Sequence, residues 1–143
     1  MASIQIESPV AVSADTAWGA LRQVGRADKL FAPVLDAADI HGDMRTVHFA
    51  NGPLLHERII DVDESSRRVA YSVLDSPGLT YHHASMQIVE EGPQRCRFVW
   101  TTDFLPAEAA SSLQPLIDQG SEALKNTLEN AASTPRASSA QPR

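Results

Sequence analysis

Between residues 34 and 105, the chain consists of short strand-like segments separated by turn signals, and this pattern constrains the fold more than any other feature. Apolar and polar residues alternate within the segments, which is typical of strands with one buried face. Asn51-Gly52 separates two segments and indicates a tight hairpin, because both residues tolerate positive φ. Strands joined by short turns form an antiparallel meander. The predicted strands cover residues 34–41, 45–50, 53–62, 68–75, 79–90 and 95–105.

Helical patterns and one further strand flank this meander. Residues 3–8 alternate like a half-buried strand, and Ser13 is placed to cap the helix that follows. A second, short helix is predicted over residues 27–31. After Pro106 the apolar residues recur at helical spacing, and Pro115 is expected to kink or divide this long helix. The apolar stripe of the long helix consists of Leu113, Ile117, Gly120, Leu124 and Leu128.

The order of elements is strand, two helices, six strands and a long helix, which predicts an α+β domain. An antiparallel sheet has one apolar face to bury, and the C-terminal helix can cover it. A strongly bent sheet around such a helix commonly leaves an internal apolar cavity, a usual location for a small ligand. We therefore predict one domain over residues 1–132, with a curved antiparallel sheet of about seven strands around the C-terminal helix. Residues 133–143 are rich in Ser, Ala, Pro and Arg and are predicted to be a disordered tail.

Composition narrows the set of partners. Hydrophobic residues make up 43% of the 143 residues, enough for a packed core, and the formal net charge is −6. Without a basic patch to displace counterions, the chain is a poor partner for nucleic acid or an anionic membrane surface. The sequence lacks a signal-peptide pattern and a run of about 20 apolar residues, so we expect a cytoplasmic protein without membrane insertion. We also expect a monomer or a homodimer. Cys96 is the only cysteine, which excludes an intrachain disulfide.

Four stretches of the chain resemble the START-like superfamily, also called the SRPBCC or Bet v 1-like superfamily. Residues 8–18 resemble its first strand and helix, with a Trp on the helix, and residues 52–63 resemble a strand with an internal Glu-Arg and a terminal Asp. Residues 67–73 resemble the next strand, and residues 96–106 resemble the last strand, with its Trp and following Phe. Within the superfamily, the chain is most similar to the bacterial polyketide cyclase/dehydrase and lipid-transport group. The resemblance covers about residues 3–130 and implies the helix-grip fold.

The resemblance implies binding of a hydrophobic, aromatic or polyketide-like small molecule in the cavity. In its enzymatic form, the protein would be a cyclase or dehydratase that enolises a substrate beside a ketone, closes a ring by aldol chemistry and removes water. The superfamily also contains carriers, hormone receptors and chaperone regulators. Two alternatives therefore stay open: a non-catalytic lipid or metabolite carrier, and a toxin, stress factor or other interaction module. The chain has Phe31-Ala32-Pro33 where many relatives carry a Trp, which changes the shape of one end of the cavity.

Glu57 is the first candidate for acid–base catalysis. It lies mid-strand on the same predicted face as Leu55 and Ile59, so a cavity-lining Glu57 would be a partly desolvated carboxylate with a raised pKa. The alternative is a structural ion pair with an arginine of a neighbouring strand, such as Arg45. Arg45 is also a candidate ligand-binding residue, because a guanidinium can stabilise an enolate oxygen.

His82 is the second candidate for acid–base catalysis. Adjacent strand residues point to opposite faces, so His82 and His83 cannot both reach one site. His82 shares its face with Met86 and is therefore the histidine predicted to point inward, with His83 toward solvent. The alternative is that both histidines are ordinary surface or hydrogen-bonded residues.

Two aromatic residues and three further positions complete the predicted ligand-binding set. Tyr71 and Trp100 fall mid-strand and would form an aromatic wall, although plain core packing explains them equally well. Met86 joins this wall from the strand that carries His82. Gly120 and Leu124 belong to the apolar stripe of the long helix, and Gly120 is expected to leave room beneath the helix.

Neither a metal site nor a cofactor is predicted. The five histidines lack the spacing of metal ligands, although His48 and His56 could approach each other across the Asn-Gly hairpin. The sequence also lacks a Gly-rich phosphate-binding loop.

Overall fold

A computed structural model describes residues 2–131 of the chain. The strands are β1 (Ala2–Val10), β2 (Leu35–His41), β3 (Met44–Phe49), β4 (Leu54–Asp63), β5 (Arg68–Val73), β6 (Tyr81–Gly92) and β7 (Arg95–Leu105). The helices are α1 (Ala14–Leu21), α2 (Ala27–Leu30) and α3 (Ala110–Ala131), and short 3₁₀ turns cover Val24–Arg26 and Ala107–Ala109. The tail predicted over residues 133–143 lies outside the described residues.

The seven strands form one antiparallel sheet in the order β1-β7-β6-β5-β4-β3-β2. Strands β2 to β7 make the predicted meander, and β1 joins it by pairing with β7. Every second residue of β7 is buried, which is the period expected of a strand with one face against a core. The buried residues of β7 are Cys96, Phe98, Trp100, Thr102 and Phe104.

Helix α3 covers the inner face of the sheet, as its apolar stripe predicts. The buried residues of α3 are Leu113, Ile117, Gly120, Ala123, Leu124 and Leu128. Two polar contacts hold its C-terminal half against the end of β1 and the residue that follows it: Lys125 Nζ donates to the Pro9 carbonyl at 2.7 Å, and the Ala11 N–H donates to Glu129 Oε2 at 2.9 Å. No helix within residues 2–131 combines the length and the apolar content needed to cross a lipid bilayer.

The hairpin between β3 and β4 forms where Asn51-Gly52 predicts one, but with a longer turn. Neither Asn51 nor Gly52 has a positive φ, and the turn is closed by the Phe49 N–H, which donates to the Pro53 carbonyl at 3.1 Å. In a two-residue turn, position 53 would have to donate its N–H to the carbonyl of Ala50. Proline has no N–H, so Pro53 excludes the tighter turn.

Helix α3 runs through Pro115 without being divided, so of the two predicted effects the division is wrong and the kink stays a prediction. Pro115 is the sixth residue of α3, so the hydrogen bond it cannot make is the one to the carbonyl of Ser111 in the first turn. Both residues are exposed, and water can satisfy that carbonyl. The loss of one bond at an exposed helix start is therefore tolerated.

Candidate ligand-binding site

Arg45 and Glu57 form an ion pair on the inner face of the sheet. The two residues lie directly opposite each other on β3 and β4, and their exposed fractions are 6% and 7%. Nε and Nη2 of Arg45 lie 2.7 Å and 2.6 Å from Glu57 Oε1, while Nη1 donates to the Val24 carbonyl at 3.0 Å. These are the distances of charge-assisted contacts. The structure thus contains the ion pair that the sequence offered as the alternative to a catalytic Glu57, whose role in catalysis stays a prediction.

The burial of this pair changes the acidity of its carboxyl group. Burial raises the pKa of Glu57, and the positive charge of Arg45 opposes that rise. A desolvated charge is costly unless a partner compensates it, so the two side chains depend on each other.

Tyr71 adds a hydroxyl to the same region. It lies opposite Ile59 of β4, on the face that carries Glu57, and the guanidinium carbon of Arg45 is 5.1 Å from the centre of its ring. Burial raises the pKa of the Tyr71 hydroxyl well above its ordinary value, and the nearby Glu57 carboxylate adds to the rise. The hydroxyl therefore stays protonated and able to donate. Arg45, Glu57 and Tyr71 are called the buried polar cluster below.

Trp100 stands between β7 and α3. It is 9% exposed, its ring centre lies 5.7 Å from that of Phe31, and it is directly opposite Met86 of β6. A Cβ atom placed on Gly120 would lie 3.0 Å from Cη2 and 3.1 Å from Cζ3 of Trp100. The sequence predicts open space beneath Gly120, but the indole of Trp100 fills this space. Gly120 is the only glycine of α3, so a large ring from the sheet can approach the helix backbone at this position.

The indole N–H of Trp100 is buried and has no hydrogen-bond partner among the described residues. The Tyr71 hydroxyl is near enough for the indole to lower its pKa slightly, against the larger effect of burial, but the two groups do not reach hydrogen-bond geometry. Ala84 of β6 lies directly opposite Tyr71 on one side and Thr102 on the other, and Trp100 is two residues along β7 from Thr102.

His82 lies at the end of the same inner face. It is directly opposite the fully buried Phe104, as the predicted inward orientation requires, and its Nδ1 is 2.7 Å from Ser76 Oγ. Burial, and to a lesser degree the charge of His83, lowers the pKa of His82 to about 4. Strand β5 separates β6 from β4, so the backbones of His82 and Glu57 are about 10 Å apart, two strand spacings. The two acid–base candidates are therefore not a directly bonded pair.

The other predicted residues have different positions relative to this cluster. Met86 and Leu124 are 3% and 0% exposed and belong to the apolar wall. The sequence analysis named Phe31 only for its effect on the shape of one cavity end, and it did not include Thr102, which is 1% exposed on the face of Trp100, in the site. Thr102 was detectable from its alternation with Trp100, whereas the contact of Phe31 depends on how α2 packs.

An open depression of about 380 Å³ lies beside the buried polar cluster. Val24, whose carbonyl accepts a hydrogen bond from Arg45, lines it, and so does Ile59, which is paired with Tyr71. The depression therefore borders the cluster on the side of the Val24–Arg26 turn.

His48 and His56, considered from sequence as a pair, contact separate aspartates. His48 Nδ1 is 2.5 Å from Asp36 Oδ1, and His56 Nδ1 is 2.8 Å from Asp75 Oδ2. Within residues 2–131, no group of three His, Cys, Asp or Glu side chains is arranged to hold a metal ion.

Comparison with known proteins identifies a family and a fold. The family described as "Polyketide cyclase / dehydrase and lipid transport" matches residues 1–129. An aromatase/cyclase from a Streptomyces species has 22% identity and a TM-score of 0.79, with 96% of this chain and 97% of that chain covered. Norcoclaurine synthase from Thalictrum flavum has 23% identity and a TM-score of 0.73, with 92% of each chain covered. A protein from Thermobifida fusca has 28% identity and a TM-score of 0.72, with coverage of 92% of this chain and 95% of that chain. A search of curated proteins finds no match.

Proposed function

The chain belongs to the polyketide cyclase / dehydrase and lipid transport family, and we propose that it holds an aromatic or polyketide-like small molecule between the sheet and α3. The observation that carries this proposal is the buried polar cluster of Arg45, Glu57 and Tyr71 in an interior whose only other buried polar side chain within residues 2–131 is Thr102. Well-packed apolar residues would stabilise a core at least as well as a buried ion pair. Polar groups that converge on one part of an apolar wall are the arrangement expected of a ligand site.

The ligand site is expected to take an apolar molecule with few polar atoms. Tyr71 belongs to one hydrophobic core of aromatic and aliphatic side chains, which also contains Trp100, Met86 and Leu124. Burial of an apolar ligand surface provides the main driving force, at roughly 25 cal/mol per Å². The polar groups then orient the ligand, as they do in most small-molecule sites.

A second candidate function, ring closure with loss of water, rests on His82. Its pKa of about 4 keeps the imidazole neutral at physiological pH, and Nε2 has no hydrogen bond among the described residues. A neutral imidazole on the wall of a ligand site can remove a proton beside a ketone. For this reaction His82 takes the proton from carbon, Tyr71 or Arg45 stabilises the enolate oxygen, and the protonated His82 returns the proton to the departing hydroxyl, which leaves as water. A carrier needs neither step.

The test of ligand binding uses the fluorescent probe 8-anilinonaphthalene-1-sulfonate with two matched variants. Ala84→Val adds two methyl groups beside the rings of Tyr71 and Trp100, whereas Leu116→Ser removes an apolar side chain that is 48% exposed on α3. We expect saturable binding of one probe per chain, weakened by about 10-fold in Ala84→Val and unchanged in Leu116→Ser, with melting curves confirming that both variants fold. Loss of binding in Leu116→Ser alone would instead place the probe on the surface, as in an interaction module. Native mass spectrometry of the purified protein would identify a ligand that is retained during purification.

A further inference from the structure

The Trp100 indole N–H is a buried donor without an acceptor. Trp100 is nine-tenths buried, and Nε1 has no hydrogen-bond partner among the described residues. Buried donors in native proteins are nearly always paired, and one that is not loses free energy until an acceptor reaches it. The indole cannot easily turn toward α3 to find an acceptor, because its six-membered ring lies against the backbone of Gly120 and beside Phe31.

We propose that Trp100 Nε1 donates a hydrogen bond to a carbonyl or enol oxygen of the bound ligand, so that Trp100 selects apolar ligands with an oxygen acceptor at that position. This inference rests on the proposed function, because it assumes that the ligand lies between the sheet and α3. The Tyr71 hydroxyl is the second donor to the same oxygen. It stays protonated, and it lies close to the indole N–H without a hydrogen bond that satisfies Nε1, so a ligand oxygen that reaches the indole also lies near this second donor.

Two small residues leave the indole in place for this role. Ala84 lies between Tyr71 and Thr102 on the floor formed by the sheet, and Gly120 lies above the indole on α3. A larger residue at either position would contact the rings of Trp100 or Tyr71 and move them. The pairing of these small residues with two large aromatic residues fixes the direction of both donors.

The test compares 1-tetralone with tetralin, which has the same two-ring skeleton without the carbonyl oxygen. We expect calorimetric titration of the wild-type protein to show that 1-tetralone binds about 10-fold or more tightly than tetralin, because only the ketone satisfies the buried donor. In Trp100→Phe the ratio should fall several-fold, because only the Tyr71 hydroxyl then remains to donate to the ketone oxygen, even if the smaller ring changes the affinity for both compounds. Trp18→Phe is the matched control, because Trp18 Nε1 donates to Glu64 Oε1 at 2.6 Å and is already paired.

A second readout needs no variant in the site. The two indole N–H groups give separate ¹H–¹⁵N signals, which Trp18→Phe assigns. The Trp100 signal should move downfield when 1-tetralone is added and should not do so with tetralin, while the Trp18 signal stays in place.

The outcomes separate this inference from the proposed function. Equal affinity for both compounds, with no downfield movement of the Trp100 signal, would overturn the role of Trp100 and leave the ligand site intact. Failure of both compounds and of 8-anilinonaphthalene-1-sulfonate to bind would overturn the proposed function and this inference with it.

Discussion

Arg45 and Glu57 face each other across β3 and β4 and form an ion pair in which neither residue is more than 7% exposed. A buried ion pair contributes little net stability, but either charge destabilises the fold when its partner is removed. The same side chains that would orient a ligand therefore make the fold sensitive to the charge of the interior.

We expect Arg45→Met to lower the free energy of unfolding at neutral pH by about 3–5 kcal/mol, because it leaves the Glu57 carboxylate buried without a partner. The loss should shrink as the pH falls. Without Arg45, the pKa of Glu57 in the folded protein rises further above its ordinary value of 4.5, so the variant is most stable when the carboxyl is protonated and loses stability as the pH rises. Urea denaturation between pH 4 and pH 8 measures this dependence.

Two further variants check the Arg45 prediction. Adding Glu57→Gln to Arg45→Met should restore much of the stability at neutral pH, because no buried charge then remains. Glu91→Gln should cost less than about 1 kcal/mol, since its partner Arg97 and Glu91 are each about one-third exposed. Equal stability of Arg45→Met and the wild type at pH 8 would show that a group other than Arg45 compensates the buried charge of Glu57.

His82 should make stability depend on pH in a different range. Its pKa of about 4 in the folded protein lies below the ordinary 6.5, so the unfolded chain binds a proton more readily between these values. Its contribution is complete above pH 6.5 and is lost as the pH falls toward 4. Between pH 6.5 and pH 4, we expect the free energy of unfolding of the wild type to fall by on the order of 1–3 kcal/mol more than that of His82→Gln.

The control for the His82 prediction is His41→Gln, because the His41 side chain is 85% exposed. This variant should keep the pH dependence of the wild type. Asp75, whose pKa is lowered by its hydrogen bonds with His56, titrates below its ordinary 3.8 and does not contribute in the same range. Identical pH profiles for the wild type and His82→Gln would show that His82 is as solvated in the folded protein as in the unfolded chain.

Much of the fold could be predicted from the sequence because the strands alternate with a period of two. That period correctly placed Glu57, Tyr71, His82 and Trp100 on the inner face, and turn residues separated the strands. The type of turn at Asn51-Gly52 was harder to predict. The missing N–H of Pro53 affects the turn only if Pro53 is one of the two residues that close it by hydrogen bonds, and the structure shows that it is.

The site was harder to predict than the fold because it depends on side chains that meet from distant elements. The sequence indicated that Gly120 faces inward, but not that the indole of Trp100 would fill the space beneath it. The missing partner of the Trp100 N–H likewise depends on the directions of two rings on β5 and β7. Charge pairing was more accessible, since Arg45 was recognised as a partner for Glu57 from strand order alone.

The contact between Gly120 and Trp100 leads to the last prediction, a comparison of two helical glycines. Gly19 in α1 has nothing within 4 Å of the position of an added Cβ, so Gly19→Ala should raise the free energy of unfolding by up to about 1 kcal/mol through helix propensity. Gly120→Ala gains the same propensity but places its methyl group 3.0–3.1 Å from two ring atoms of Trp100. Crowding of a packed interior costs about 1–3 kcal/mol, so this variant should be no more stable than the wild type, and less stable than Gly19→Ala. Adding Trp100→Phe should relieve the crowding, so that Gly120→Ala becomes favourable in that background. Thermal unfolding of Gly19→Ala, Gly120→Ala, Trp100→Phe, the double variant and the wild type measures the coupling between positions 100 and 120. Additive effects would show that the indole moves away from α3 at no cost.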